Sequence, residues 1–295
     1  MLSYDKIVTL HIIRGNIYMT MFKAFILGLI QGLSEFLPVS SSGHLALFGR
    51  IMGIDQESSG LLSFNILLHV ATLIAVFIAF WGDIKELITA FFSMLGDIFT
   101  GKGARLKDYP YRRLIIMLIL GTLPAVAAAL TLGNIIANPA LWQIGIFLFV
   151  TAALLSASEK LSGGKVKLEK MSYAQSLIVG CFQGLGTLPG ISRSGSTIVG
   201  GLFSGLSKET AVRFSFLLSI PAILGALVLD IKDIFSAGAQ TFTFGHAVIG
   251  MITAAISGYF AIKFLLQIVQ KSKLSYFAYY CAAAGVFAII LNFIL

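Results

Sequence analysis

The chain has 295 residues, of which 57% are hydrophobic and 12% are charged, and its mean hydropathy is +0.92. A soluble domain carries about 25% charged residues, so this composition excludes a soluble protein and predicts an all-α polytopic membrane protein. The net charge of +8 does not indicate nucleic-acid binding, because the basic residues lie mainly in short loops between apolar runs.

The beginning of the chain is expected to be an N-terminal extension, residues 1–19, followed by one membrane domain, residues 20–295. The extension has no small-residue cleavage site before Met21, so it should be a dispensable tail or a surface helix rather than a cleavable signal. Cys181 and Cys281 lie in apolar segments, and we expect both to be buried thiols.

Six continuous apolar runs are long enough to cross a bilayer as helices. They lie at about 63–82, 113–132, 141–158, 210–229, 246–269 and 275–294. Two further apolar regions, about 20–49 and 173–207, are interrupted by Gly, Ser and Pro residues. We expect each region to hold two half-length helices that form a re-entrant hairpin, because irregular backbone at membrane depth is tolerated only where protein or water satisfies it.

Loop charges predict the orientation of these helices. Loops rich in Lys and Arg should face the cytoplasm, and they lie at 83–112, at 159–172 and around Lys271 and Lys273. Loops 50–62, 133–140 and 230–245 are poor in these residues and should face outward. Each half of the chain holds one hairpin and three spans, so the second half begins on the opposite side. We therefore predict an inverted-topology repeat, about 20–158 and 173–295.

The two interrupted regions carry related motifs. The segment Gln31–His44 recurs in altered form at Gln183–Thr197, and a shift of 152 positions superposes Gln, Gly, Leu, two Ser and a second Gly of both copies. Gly and Ser in membrane helices often only allow close packing. That explanation does not cover a repeated motif with Glu35, His44 and Arg193 inside it. The repeat therefore predicts one polar site built from both halves.

Arg193 is the candidate anion clamp of this site. An arginine at membrane depth is costly, and its planar fork matches phosphate oxygens. It stands in a Gly/Ser-rich turn before an apolar helical run, where hydroxyls and backbone N–H groups are aimed at an anion. The candidate binding residues beside it are Ser192, Ser194, Gly195, Ser196 and Thr197. An ion pair with Glu35 that only supports packing is the alternative.

The first motif supplies the complementary chemistry. Ser40, Ser41 and Ser42 are candidate nucleophiles or substrate ligands, and His44 is a candidate base. Glu35 would orient His44 or bind a divalent metal. By contrast, we interpret the lone His69 as a hydrogen-bonded packing residue. These parts favour phosphoryl transfer on a substrate whose tail lies in lipid.

Both motifs resemble those of bacterial undecaprenyl-diphosphate phosphatases, the bacitracin-resistance protein family, and the resemblance extends from about residue 20 onward. It implies an inner-membrane enzyme that hydrolyses undecaprenyl diphosphate to the monophosphate and phosphate for peptidoglycan synthesis. It also implies two re-entrant hairpins, an inverted repeat, a site open to the outer face and a need for Mg²⁺ or Ca²⁺. Bacitracin resistance follows, because the antibiotic sequesters the diphosphate. A homodimer is left open.

The resemblance assigns roles residue by residue. Ser41, His44, Glu35 and Arg193 are expected to be catalytic, and Gln31, Ser40, Ser42, Ser192, Ser194, Gly195 and Thr197 to bind substrate. Some relatives have Glu at position 31, so Gln31 leaves Glu35 as the only metal-binding carboxylate of the motif. The remaining ligands would then come from the diphosphate itself.

Two mechanisms and one rival function remain open at this level. Ser41 attacks the terminal phosphorus while His44 takes its proton, or His44 activates water or attacks directly. A transporter or flippase for a lipid phosphate or small anion would need the Arg193 clamp, but it would need no pair of nucleophile and base.

Overall fold

The computed structural model describes residues 19–54, 59–136, 139–161, 164–236, 242–271 and 274–294, so the expected extension 1–19 lies outside the described residues except for Met19. Within those ranges the protein is helical, and its only β-type pairing is a single isolated bridge. Eleven α-helices are described: α1 Met21–Phe36, α2 Ser41–Ile51, α3 Ser59–Ala79, α4 Trp81–Phe99, α5 Pro110–Ile136, α6 Leu141–Ser158, α7 Tyr173–Leu185, α8 Arg193–Phe203, α9 Lys208–Ser236, α10 Phe244–Lys271 and α11 Ser275–Ile294.

Six of these helices are long and apolar enough to cross a membrane. The candidate spans are Gly60–Ala79, Pro110–Leu132, Leu141–Ser158, Lys208–Val228, Phe244–Val269 and Ser275–Ile294. The six predicted spans are therefore confirmed, with ends that agree within a few residues. The first helix begins at Met21, where Thr20 caps it by accepting a hydrogen bond from the backbone N–H of Lys23.

Each interrupted region forms two short helices joined by a turn, as predicted. In the first pair, α1 and α2, the N-cap of the second helix is Ser40, whose Oγ accepts a hydrogen bond of 3.3 Å from the N–H of Gly43. In the second pair, α7 and α8, Ser192 caps the helix in the same way, with 3.1 Å to the N–H of Gly195. The two motifs therefore form the same local structure, a turn that ends in a serine cap.

Glycines allow each hairpin to pack closely against a span from the other half of the chain. A Cβ at Gly28 of α1 would lie 2.3 Å from the carbonyl oxygen of Gly250 in α10. A Cβ at Gly180 of α7 would lie 2.5 Å from the carbonyl oxygen of Gly121 in α5. Gly28 and Gly180 occupy matching positions of the two motifs. Small residues at both contacts let the helix backbones approach each other, as is common in membranes.

The end of α1 is held in place by an aromatic cluster. The ring of Phe36 meets Phe216 of α9 edge to face, with 5.4 Å between the ring centroids, and Phe80 lies 5.9 Å from the same ring. Phe36 and Phe216 are fully buried. Such pairs contribute about 0.5–1.5 kcal/mol beyond the burial of their area. The cluster therefore holds the residue before Phe36, which is Glu35, against the centre of the protein.

One predicted loop is wrong, because residues 83–99 of the segment 83–112 belong to helix α4. Its polar side faces the protein: buried Asp83 accepts hydrogen bonds from Arg213 and Tyr111, and Asp97 pairs with Arg112 at 2.8 Å. The hydrogen bond from Arg112 lowers the pKa of Asp97. The exposed side chains on the opposite side include the apolar residues Trp81, Ile88, Phe92 and Phe99. Charged residues interrupt the apolar pattern, which is why the sequence did not predict a helix here.

The prediction of two buried thiols is half right. Cys281 of α11 is buried, but Cys181 of α7 is exposed. The error has a physical reason: in a membrane protein, apolar sequence surrounds residues that face lipid as well as residues that face the core. Apolar neighbours alone therefore do not predict burial within the protein.

Candidate active site

Glu35 lies at the centre of the candidate site, in the last turn of α1. Its side chain is almost completely buried. Oε2 accepts hydrogen bonds from the Ser41 hydroxyl at 2.6 Å and from the side-chain amide of Gln31 at 3.0 Å, while Oε1 accepts from Arg193. A buried carboxylate is stable only when it is paired and hydrogen-bonded in this way.

Arg193 joins the second hairpin to the first. It is the first residue of α8, and Nη2 of its guanidinium donates to Oε1 of Glu35. The sequence left two roles open for Arg193, and the structure contains the ion pair with Glu35. This pairing does not exclude an anion clamp, because the contact engages one nitrogen of a group that has five N–H donors. The Arg193 side chain keeps 17% of its surface exposed, so it is not completely enclosed by the protein.

The serine turns of both hairpins repeat the same hydrogen bonds. In the first turn, the hydroxyls of Ser40 and Ser42 are 3.4 Å apart, and in the second those of Ser192 and Ser194 are 3.2 Å apart. Ser194 also donates to the carbonyl oxygen of Leu37 at 3.1 Å, which ties the second turn directly to the first. The predicted assembly of both motifs at one place is therefore what the structure contains.

Several predicted substrate ligands are bonded to the protein. The Thr197 hydroxyl is 2.8 Å from the carbonyl oxygen of Arg193 and 2.5 Å from the Ser215 hydroxyl, and it is completely buried. Ser192 is also buried, and its N–H donates to Thr151 at 3.0 Å. These contacts hold the first turn of α8 in place. Of the predicted hydroxyl ligands, Ser41 is partly exposed and Ser42 is exposed.

His44 does not contact Glu35 or Ser41 through its ring nitrogens, contrary to the expected orientation. Nδ1 lies 2.8 Å from the carbonyl oxygen of Ser40, and Nε2 lies 2.7 Å from the hydroxyl of Tyr280 in α11. The reason is geometric: position 44 is in the first turn of α2, where the ring reaches back to the cap carbonyl four residues earlier. The group that accepts a hydrogen bond from the Ser41 hydroxyl is therefore the Glu35 carboxylate.

The site belongs to a protein with close full-length relatives. Residues 24–287 match the model of the family described as bacitracin resistance protein BacA. The chain belongs to the BacA family. It is 44% identical over 276 residues to a protein of Alkaliphilus metalliredigens named undecaprenyl-diphosphatase, with 93% of this chain and 99% of the relative covered. Proteins with the same name from Halothermothrix orenii and Methanosphaera stadtmanae are each 43% identical, with 92% of this chain and 98% of each relative covered.

Two further residues lie at this BacA-family site that the sequence analysis did not assign to it. His69 of α3, interpreted as a packing residue, has Nε2 3.6 Å from Oε2 of Glu35, and its Nδ1 lies 2.8 Å from the carbonyl oxygen of Asn65. The hydroxyl of Tyr280 is within hydrogen-bonding distance of Nε2 of His44. Neither residue belongs to a repeated motif, so the comparison of the two motifs could not find them.

The residues around Glu35 fit a hard divalent cation. Among the described residues, no group of three or more His, Cys, Asp or Glu could hold a metal ion. Mg²⁺ and Ca²⁺, however, also bind amide oxygens and substrate phosphates. The side-chain oxygens of Gln31 and Asn65 are buried without a hydrogen-bond partner in the described part of the chain. Glu35 and the oxygen of Gln31, whose amide nitrogen donates to the same carboxylate, are donors of the kind such a cation uses.

Proposed function

We propose that this chain is a membrane lipid diphosphatase that hydrolyses undecaprenyl diphosphate to undecaprenyl phosphate and inorganic phosphate. The observation that carries the proposal is the contact of the Ser41 hydroxyl with Glu35, whose other oxygen is bound by Arg193 of the second hairpin. A hydroxyl, a base and an anion-binding group are thus adjacent. The name shared by the relatives supports the same reaction. Such an enzyme recycles the lipid carrier of cell-wall synthesis and confers bacitracin resistance.

The geometry favours a mechanism in which Glu35 is the base. Ser41 Oγ transfers its proton to Oε2 of Glu35, 2.6 Å away, and forms a bond to the terminal phosphorus. The bond between this phosphorus and the bridging oxygen breaks, and undecaprenyl phosphate leaves with the electron pair and takes up the proton from Glu35. Water then hydrolyses the phosphoserine, releasing phosphate and restoring the Ser41 hydroxyl. Arg193 stabilises the charge on the transferred group through its free donors.

A divalent cation, held by Glu35 and the amide oxygen of Gln31, would neutralise diphosphate charge when it is bound. The earlier expectation that His44 deprotonates Ser41 gives way to Glu35 in this proposal. Attack by activated water without a covalent intermediate is the competing route.

The transporter alternative is not favoured, because the relatives named as phosphatases match nearly the whole chain.

We also propose that the two hairpins are re-entrant and enter the bacterial inner membrane from opposite sides, as an inverted repeat. The matched glycine contacts support this arrangement, since each hairpin packs on a span from the other half. The described spans keep three per half, and the basic loops favour a cytoplasmic position for the second hairpin. The site would open toward the outer face, where the diphosphate is released during cell-wall assembly.

The direct test of the function is phosphate release from a C55 or C15 isoprenyl diphosphate by the purified protein. The assay is run with Mg²⁺, with Ca²⁺ and with EDTA. We expect release that requires a divalent cation and that the Ser41→Ala variant loses. The absence of release by well-folded wild-type protein with either metal would overturn the proposed reaction.

A further inference from the structure

Tyr280 lies beside His44, although 236 positions separate the two residues in the sequence. The tyrosine hydroxyl is 2.7 Å from Nε2 of His44. The two rings are also nearly parallel, with 5.5 Å between their centroids and 11° between their planes. His44 is buried, whereas Tyr280 is about half exposed. Tyr280 therefore covers one nitrogen of a buried imidazole that belongs to the first motif.

The contacts of His44 fix its tautomer. Nδ1 forms a hydrogen bond with the carbonyl oxygen of Ser40. Because a carbonyl oxygen can only accept a hydrogen bond, Nδ1 carries the hydrogen. In the neutral ring Nε2 is then an acceptor, and the Tyr280 hydroxyl must donate to it. If the imidazole gains a proton, Nε2 becomes a donor and the same hydroxyl accepts. A tyrosine hydroxyl satisfies both states, whereas a phenylalanine at this position would satisfy neither.

We propose that Tyr280 is a positioning residue for His44, and this inference rests on the proposed phosphatase function. Ser40 and Tyr280 hold the imidazole from both sides, so that its ring plane and its tautomer are set before substrate binds. His44 lies in the first turn of α2, three residues after Ser41. In this proposal the imidazole acts on the phosphoryl group electrostatically and not as the base for Ser41, and a freely rotating ring would lose the orientation on which that effect depends.

Helix α11 offers a matched control for this proposal. Tyr276 and Tyr279 lie on the same helix as Tyr280, and both are more exposed. The Tyr280→Phe variant removes the hydroxyl and keeps the ring that stacks on His44. The Tyr279→Phe variant makes the same chemical change one residue away. Comparison of the two separates the bond to His44 from a general effect of losing a tyrosine hydroxyl in this helix.

The first experiment measures kcat and KM for phosphate release from a C15 isoprenyl diphosphate. We expect Tyr280→Phe to lower kcat about 3- to 10-fold, the range for loss of one hydrogen bond, and to leave KM unchanged. Tyr279→Phe should behave as wild type. In a His44→Ala background, Tyr280→Phe should have no further effect, because its action passes through His44. A wild-type kcat in Tyr280→Phe, or an equal loss in the His44→Ala background, would refute the proposal.

The second experiment observes the imidazole directly and does not depend on activity. Protein labelled with ¹⁵N-histidine gives ring nitrogen signals, and the His44→Ala variant identifies those of His44. The wild type should show the tautomer protonated at Nδ1, and Tyr280→Phe should shift the Nε2 signal, because that nitrogen loses its hydrogen-bond partner. Unchanged His44 signals in that variant would contradict the proposed contact. If wild-type protein released no phosphate, the proposed function would fail, but these spectra would still decide the role of Tyr280.

Discussion

Arg193 and Glu35 are 158 positions apart in the chain, and their side chains form an ion pair where the two hairpins meet. The pair joins the first residue of α8 to the last turn of α1. Because Glu35 also binds Ser41, the same carboxylate connects the candidate nucleophile to the candidate anion clamp. The packing of the two hairpins and the chemistry of the site therefore both depend on the ion pair between Glu35 and Arg193.

Removal of Arg193 should destabilise the fold as well as abolish activity. In Arg193→Ala the Glu35 carboxylate stays buried without its positive partner, and loss of one member of such a pair costs about 3–5 kcal/mol. The loss is measured by chemical or thermal unfolding in detergent. Asp108→Ala is the control, since Asp108 takes part in an exposed ion pair that should hardly affect stability. Equal stability of Arg193→Ala and wild type would mean that the pair is not buried as described.

Substitution of the two neighbouring serines should separate the nucleophile from the rest of the turn. We expect Ser41→Ala to reduce kcat by at least about 10³-fold, because no other group takes over the covalent step. Ser42→Ala should retain most of the activity, since the hydrogen bond of its exposed hydroxyl in the described part of the chain is to Ser40. Rapid quenching of the wild-type reaction followed by mass spectrometry should find phosphate on Ser41. Entry of ¹⁸O from water into phosphate with no phosphoserine would instead favour direct attack by water.

An added methyl group should lower stability at a glycine that contacts a facing helix and raise stability at a glycine with open space around it. Gly28→Ala and Gly180→Ala would place a Cβ against the backbone of the facing helix, and we expect each to destabilise the protein by about 1–3 kcal/mol. Gly96→Ala in α4 has nothing within 4 Å, so it should stabilise its helix by about 0.5–1 kcal/mol. The midpoints of thermal unfolding in detergent compare the three variants. A stabilising Gly28→Ala would contradict the close helix contact.

Asp83 should matter for stability and not for the reaction. Its carboxylate binds Arg213 and Tyr111, so Asp83→Asn weakens the attachment of α4 to α5 and α9. We expect a loss of about 1–3 kcal/mol, the range for hydrogen bonds to a charged group, with kcat and KM unchanged. Glu86→Gln, at an exposed position of the same helix, should change neither quantity. A fall in kcat without loss of stability would assign Asp83 a role at the site.

The fold was predictable where the physical constraint is strong. A bilayer requires about 20 apolar residues for each span, so the six spans follow from the sequence, and Pro, Gly and Ser residues mark the two turns. Helix α4 was missed because its charged residues, such as Asp83, face partners on other helices that the sequence does not reveal. Cys181 was misplaced because apolar sequence looks the same toward lipid and toward the core.

The candidate site was predictable as far as its motifs extend. The repeat identified Glu35, Ser41 and Arg193, which the structure brings together. The partner of each polar group was not predictable, because it depends on side-chain direction in three dimensions. The sequence thus associated His44 with Ser41, its neighbour in the motif, whereas the ring bonds to Tyr280 on α11. His69 was missed for the same reason: it reaches Glu35 from a different helix.

The central claim is that both halves of the chain build one catalytic site through Glu35 and Arg193. The most direct measurement is kcat/KM for a C15 isoprenyl diphosphate in Glu35→Gln, in Arg193→Ala and in the double variant, each normalised to folded protein. We predict that each single change lowers kcat/KM by at least about 10²-fold and that the double variant is hardly worse than either, because residues that act as a unit are not additive. Fully multiplicative losses, or an active Arg193→Ala variant, would contradict the claim.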